Sequence, residues 1–406
     1  VPGGSTPVGA SRFLLFRHCR LLVAAALIAV TLVIGLLLAE IGVRLLRPQQ
    51  LVLQSLDFRQ PVPGLGWRHW PNVRGTINTD EGVVHVYTDE DGYRIGAAGK
   101  KDGNRTILLL GDSFMEALQV EYEQSLAGLL EGRLPLQIGT TVAVRNTGVG
   151  GWSPNEYLIQ GRKSLKREPI DLVLTAIFMG NDLVTWKPGP NPPRAPAEVH
   201  HFRLPRNLGY SELVDAVLYP ANDWLELRSQ LFILVKHQSK VVMMRFKLTG
   251  TDLPQEIRRS AAAKPWWNIT AMLCDSIAQA ATAHGAAALF VLLPDATQVY
   301  PDMLRRYLQG MGVDSTAVDI DQPSRLFSAY LRFHHLDVID ATPALQAASK
   351  NGQPLYGRLD THLTPAGHDV LERVVEPAIV QILMQRVPRS GEPGHLLAFG
   401  VGRTRP

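Results

Sequence analysis

Only two cysteines, Cys19 and Cys274, occur in the 406 residues, which excludes a disulfide framework and a thiolate metal site. The 12 histidines show no H-E-x-x-H or other ligand spacing, so the chemistry is expected to need neither metal nor cofactor. Charge of one sign is scarce as well. Lys and Arg number 41 against 37 Asp and Glu, and no basic run is interleaved with aromatics, so nucleic acid is not an expected partner. Internal repeats are absent. What remains is a globular composition, 46% hydrophobic and 19% charged, long enough for one large domain or two medium ones.

Long hydrophobic runs are absent too, with one exception. Leu21 to Ala39 carries no charge and is long enough to span a bilayer as a helix. A cleaved signal peptide and an uncleaved anchor both fit such a run. The run is long for a signal peptide, and Glu40 to Arg44 supply no A-x-A cleavage site, which favours an anchor over 21–46. Arg12, Arg17 and Arg20 place the flank 1–20 in the cytoplasm, although Arg44 and Arg47 follow on the far side. The expected location is therefore the cytoplasmic membrane, single-pass, with the bulk of the chain outside it.

Residues 48–104 are rich in Pro, Gly and Trp and alternate in polarity around Val83 to Tyr87. They read as a small β-rich connector, with turns at Pro63-Gly64 and Asp91-Gly92. A different pattern follows. Ile107 to Leu110 is a continuous apolar run, as in a strand buried on both faces of a parallel sheet, and Gly111-Asp112-Ser113 follows without a spacer. Helical spacing over about 122–134 leads to a strand at 141–144 and to Asn146-Thr147-Gly148-Val149-Gly150-Gly151. A helix near 156–166 and a buried strand at 171–178 end in Gly180-Asn181-Asp182. Further strands at 286–293 and 336–339 complete an alternation that predicts a parallel, doubly covered sheet.

A helical insertion, about 186–265, separates two of these strands. It opens on a Pro-rich loop, and Leu227, Leu231, Leu234 and Val235 are expected to share a face. Arg228, Lys236, Lys240, Arg245 and Lys247 make it basic, which fits a solvated surface, a lid or a face turned to anionic lipid. Thr364-Pro365 is a start signal for a last helix, and the Arg-, Pro- and Gly-rich tail 386–406 reads as disordered.

In a doubly wound sheet the carboxyl ends of the first three strands lie side by side, where such sheets bind ligands. Acyl transfer needs a nucleophile, a base, a group orienting the base, and donors for the developing oxyanion. Ser113 supplies the nucleophile. The backbone N–H groups of Ser113 and Gly151 and the side-chain amide of Asn181 supply donors. His362 is the base that best fits, with Asp360 two positions earlier to fix its tautomer, and a Ser113–His362 dyad is the alternative. Asp112 and Asp182 are supporting residues. His368 reads as a helix-start residue, and His334 and His335 fall at the wrong end of the sheet.

These segments, in this order, resemble the SGNH (GDSL-type) hydrolase superfamily. Gly111-Asp112-Ser113 matches its first block, Gly151 its second, Gly180-Asn181-Asp182 its third, and Asp360 with His362 its last. The resemblance covers about 105–385. A single residue between Asp360 and His362, where most of the superfamily has two, is similar to the branch with alginate-type O-acetyltransferases and membrane-anchored bacterial relatives. The resemblance implies a three-layer α/β/α sandwich with a five-stranded parallel sheet. It also implies a serine esterase that removes O-acyl groups from an envelope glycan or small ester. The alternatives are an O-acyltransferase for a cell-surface polysaccharide, for which a membrane acyl-donor partner of unknown identity is a possible companion, and a binding module without chemistry.

Overall fold

Ile107, Leu108, Leu109 and Leu110 are all buried, and the layers of the protein build outward from them. The computed structural model describes residues 8–47, 49, 58–79, 82–183, 217–226, 228–245, 257–259, 267–357 and 361–386. The Pro-rich loop of the insertion, Asp360 and the tail beyond 386 lie outside these residues. The chain forms two units, one of segments 1–51 and 200–243, the other of 52–199 and 244–406.

In the second unit the strands are β1 (Arg59–Val62), β2 (Gly66–His69), β3 (Arg74–Thr79), β4 (Gly82–Thr88) and β5 (Arg94–Ile95), followed by β6 (Arg105–Leu110), β7 (Val142–Asn146), β8 (Leu172–Phe178), β9 (Ala287–Leu293) and β10 (Val338–Asp340). The main sheet has eight strands in the order β10-β9-β8-β6-β7-β5-β4-β3. Its part β7-β6-β8-β9-β10 is parallel throughout, which is the five-stranded sheet expected. The carboxyl ends of β7, β6 and β8 therefore lie next to one another.

Side-chain alternation along β6 explains the two covering layers. Ile107 and Leu109 face Leu126, Leu130 and Leu134 of helix Leu126–Ile138, with Leu371, Val375 and Ile379 of helix Pro365–Met384 in the same core. Leu108 and Leu110 face Tyr157 of helix Pro154–Leu165, Cys274 and Ile277 of helix Asn268–Ala283, and Phe327 and Leu331 of helix Gln322–Phe333. Each of these leucines is worth roughly 1.5–3 kcal/mol of burial. A hydrophobic run with no polar side is what such a position requires.

The segment before this sheet does more than connect. β3, β4 and β5 continue the sheet past β7 with antiparallel pairing, through Arg94 opposite Asn146. They cover an edge that β7 would otherwise expose. β1 and β2 form a separate hairpin. The turns expected at Pro63-Gly64 and Asp91-Gly92 are present, with Gly64 and Gly92 at φ of 80° and 75°.

In the first unit, helix Val8–Leu46 contains a stretch, Leu22–Leu46, long and apolar enough to cross a membrane. Near its end Glu40 accepts hydrogen bonds from Ser229 Oγ (2.8 Å) and from the backbone N–H groups of Gln230 (3.0 Å) and Leu231 (2.9 Å). The carboxylate thereby caps helix Gln230–Arg245. Leu231, Leu234 and Val235 fall on one side of this helix by their spacing, as expected, but that side is not wholly buried. Among its described side chains Ile233 is buried, whereas Val235 is 55% exposed and Leu231 and Leu234 are half-buried. Leu227 lies outside the described residues.

Candidate active site

β6 delivers the chain into Gly111 and then into a four-residue helix, Ser113–Glu116, so Ser113 stands at a helix start on the carboxyl edge of the sheet. Asp112 is the N-cap, its Oδ1 accepting from the backbone N–H of Phe114 at 2.9 Å. The cap leaves the Ser113 side chain half-buried and facing the edge.

His362 reaches this point from the far end of the sequence. Its Nε2 lies 2.7 Å from Ser113 Oγ. The loop carrying it is pinned on both sides. Gly357 N–H donates to the His362 carbonyl (2.8 Å), Tyr356 pairs with Leu363, and Thr364 Oγ1 caps the last helix by accepting from Gly367 N–H (3.2 Å). The imidazole packs against the Phe114 ring, with centroids 4.7 Å apart, and Phe114 is itself packed on Phe178. His368, in the first turn of the same helix, is buried, and its Nδ1 accepts from Leu126 N–H at 3.3 Å. Burial holds its pKa down at about 3, so it stays neutral.

Gly151 has φ of 81°, a conformation that favours glycine, and an added Cβ would stand 2.7 Å from Trp67 Cζ2. At Gly150 a Cβ would lie 3.4 Å from the Cβ of Ser113, so this loop passes directly beside the serine. Asn181 is exposed in the turn after β8, the strand next to β6. Within the described residues the N–H groups of Ser113 and Gly151 and the side chain of Asn181 make no hydrogen bond. They are available to a ligand. Asp360 lies outside the described residues.

Behind the serine sit the two supporting aspartates, both buried. Asp182 Oδ2 accepts from Phe178 N–H (2.9 Å) and Tyr157 OH (3.0 Å), which shapes the turn presenting Asn181. One oxygen of each, Asp112 Oδ2 and Asp182 Oδ1, is buried without a hydrogen bond. Burial raises both pKa values, that of Asp112 to about 6, and the charge of Asp112 adds to the rise at Asp182. Two such carboxylates cannot both be charged cheaply, so burial and their mutual repulsion favour the protonated form.

Sequence reasoning missed a third carboxylate. Glu116 is buried, yet burial's upward push on its pKa is outweighed by Arg59 and by a hydrogen bond from His69, and the value falls to about 2. Arg59, Trp67 and His69 come from the hairpin read as part of a connector. No local pattern marks them.

A family profile described as "SGNH hydrolase-like domain, acetyltransferase AlgX" matches residues 254–390. That stretch holds the last block, with His362. Over that stretch the chain is similar to the SGNH hydrolase-like domain of the AlgX acetyltransferase type. Among solved structures it overlaps an acetyl xylan esterase, AlAXEase, at 14% identity over 68% of this chain and 99% of that one, with a TM-score of 0.38. TesA overlaps at 17% identity, 68% and 99% coverage and a TM-score of 0.36. The lipase/acylhydrolase from Enterococcus faecalis overlaps at 13% identity, 70% and 98% coverage and 0.35. No curated protein matches the chain.

Proposed function

We propose that the protein is a serine esterase that removes O-acyl groups from an envelope glycan or small ester through an acyl-serine intermediate. The observation that carries this reading is the 2.7 Å contact between His362 Nε2 and Ser113 Oγ. His362 accepts the hydroxyl proton as Ser113 Oγ bonds to the ester carbonyl carbon. The carbonyl oxygen becomes an oxyanion, held by the N–H groups of Ser113 and Gly151 and by the Asn181 amide. Collapse breaks the bond to the alcohol, which leaves with the proton from His362. Water, deprotonated by His362, then attacks the acyl-serine, releasing the acid and returning the proton to Ser113. Asp360 is the proposed orienter of His362, with Asp112 and Asp182 supporting the turns that carry Ser113 and Asn181.

A transferase reading draws on the acetyltransferase in the matched family's description. It differs only in that a sugar hydroxyl replaces water in the second half. The helix through Leu22–Leu46 supports a membrane-held enzyme with its site outside the cytoplasm. Titration of the purified full chain with a serine-directed fluorophosphonate tests the common part. One equivalent should bind at Ser113 and none in Ser113→Ala; unchanged labelling of that variant would remove Ser113 from the chemistry. Adding a soluble oligosaccharide to an aryl acetate assay separates the two readings, since hydrolysis yields free acetate and transfer yields acetylated sugar.

A further inference from the structure

Glu116 ends the short helix that Ser113 begins, and its carboxylate meets four donor contacts. Oε1 accepts from Arg59 Nη2 and His69 Nε2, each at 2.6 Å. Oε2 accepts from Arg59 Nη2 and from the backbone N–H of Gly150, each at 2.8 Å. On the other side of the same residue, Trp67 Nε1 donates to the Gly150 carbonyl at 2.9 Å. The hairpin that supplies Arg59, Trp67 and His69 is tied down in turn, because Trp152 Nε1 donates to the Trp67 carbonyl at 2.9 Å. His69 is stacked on Phe58 with ring centroids 4.4 Å apart. Arg94, fully buried, donates to the carbonyls of Glu116, Ala117 and Val120 and fixes the exit from the short helix.

Both peptide groups that flank the Gly150 Cα are therefore fixed. A peptide unit is planar and trans, so its N–H points opposite to its C=O. Holding the Gly150 carbonyl toward Trp67 consequently aims the N–H of Gly151 the other way. We propose that Glu116, with Arg59, His69 and Trp67, is a positioning clamp that aims the Gly151 N–H at the developing oxyanion. This rests on the reading of Ser113 and Gly151 given above. None of the four residues touches the reacting atoms; each acts through the loop 149–151.

Position, rather than burial, explains why a carboxylate is used. A preorganised donor stabilises the transition state only if it does not have to reorient during the reaction. Gly150 has no side chain to hold it, and at this spot a Cβ would fall 2.6 Å from Glu116 Oε2 and 2.9 Å from Arg59 Nη2. The loop's own turn bond, from Trp152 N–H to the Val149 carbonyl at 3.1 Å, spans Gly150-Gly151, and further rigidity at Gly150 comes from outside the loop. The buried anion supplies it with a charge-assisted hydrogen bond, and Arg59 keeps that anion ionised.

The test compares Trp67→Phe, which keeps an aromatic ring but removes the indole N–H along with part of the ring system, with Glu116→Gln, which keeps the shape and removes the charge. Hydrolysis of an aryl acetate by the full chain is normalised to the number of serines titrated at completion by fluorophosphonate. Both variants should lose ~10–100-fold in kcat per titrated serine, with KM within about threefold, as expected for a misplaced donor. The affinity for a trifluoromethyl ketone, which forms a tetrahedral adduct, should fall in proportion to kcat/KM. A merely structural role would instead reduce the titratable fraction or the melting temperature and leave kcat per serine at the wild-type value. That result in Trp67→Phe, the milder change, would overturn the clamp. Persistence of labelling and turnover in Ser113→Ala would instead break the underlying site reading, so the two failures are distinguishable.

Discussion

Gly151→Ala tests the oxyanion loop with a single methyl group. The new Cβ would stand 2.7 Å from Trp67 Cζ2 and 3.5 Å from Cη2. Trp67 cannot move aside easily, being 7% exposed and hydrogen-bonded through both Nε1 and its carbonyl. The loop must therefore retreat by roughly 0.7 Å to restore ordinary carbon–carbon contact near 3.4 Å. Alanine at the observed φ of 81° adds strain of about 1–2 kcal/mol. Full removal of one oxyanion donor costs about 10²–10³ in kcat, and a displacement under 1 Å removes part of that. The expected loss is thus ~10–100-fold in kcat per titrated serine, with KM little changed. The melting temperature should fall by only a few degrees, given about 2–4 °C per kcal/mol in a chain of this size class. The assay is aryl acetate hydrolysis by the purified full chain, with active sites counted by fluorophosphonate. Wild-type kcat in a variant whose loop has been forced to move would mean that the Gly151 N–H is not directed at the oxyanion.

Three further outcomes are expected. Ser113→Ala and His362→Ala should each abolish most turnover, and the double variant should be little worse than either, because the two act as one unit; additive losses would separate them. Asn181→Ala should lower kcat by about a hundred- to a thousandfold while the melting temperature holds, since its exposed side chain makes no internal hydrogen bond among the described residues. Asp112 binds its proton up to about pH 6 in the folded chain but only to the usual aspartate range, near 4, when unfolded. Its contribution to stability therefore falls as pH rises from about 4 to 6, and Asp112→Asn should gain on the wild type across that window by up to about 3 kcal/mol, read from denaturation at pH 4.5 and 7. A gap between the two proteins that does not change with pH would place the proton elsewhere.

The parts of this site that the sequence discloses are those that local chain chemistry dictates. Four apolar residues running straight into Gly-Asp-Ser fit a buried strand that stops at a polar turn. The same logic exposes Gly150-Gly151 and Gly180-Asn181-Asp182. Parallel alternation then places the three turns together, so Ser113, Gly151 and Asn181 are legible without any knowledge of long-range contacts. His362 is one step harder, because 249 residues separate it from Ser113 and only the helix start at Thr364 fixes its position relative to the sheet edge. The clamp is illegible for a different physical reason. Arg59, Trp67 and His69 act on Gly150 because of where their hairpin packs, while the neighbouring strands reach the sheet through one short pairing, Arg94 opposite Asn146. Alternating strands such as Val83 to Tyr87 could satisfy their backbone on either edge, and nothing in their own residues selects the β7 side. Glu116 shows the same limit from within the motif. Its spacing from Ser113 says that it shares a helical turn, but a glutamate is ordinarily exposed. Only the arrival of Arg59 from 57 residues upstream makes its burial affordable and turns it into an anchor for the loop beside Ser113.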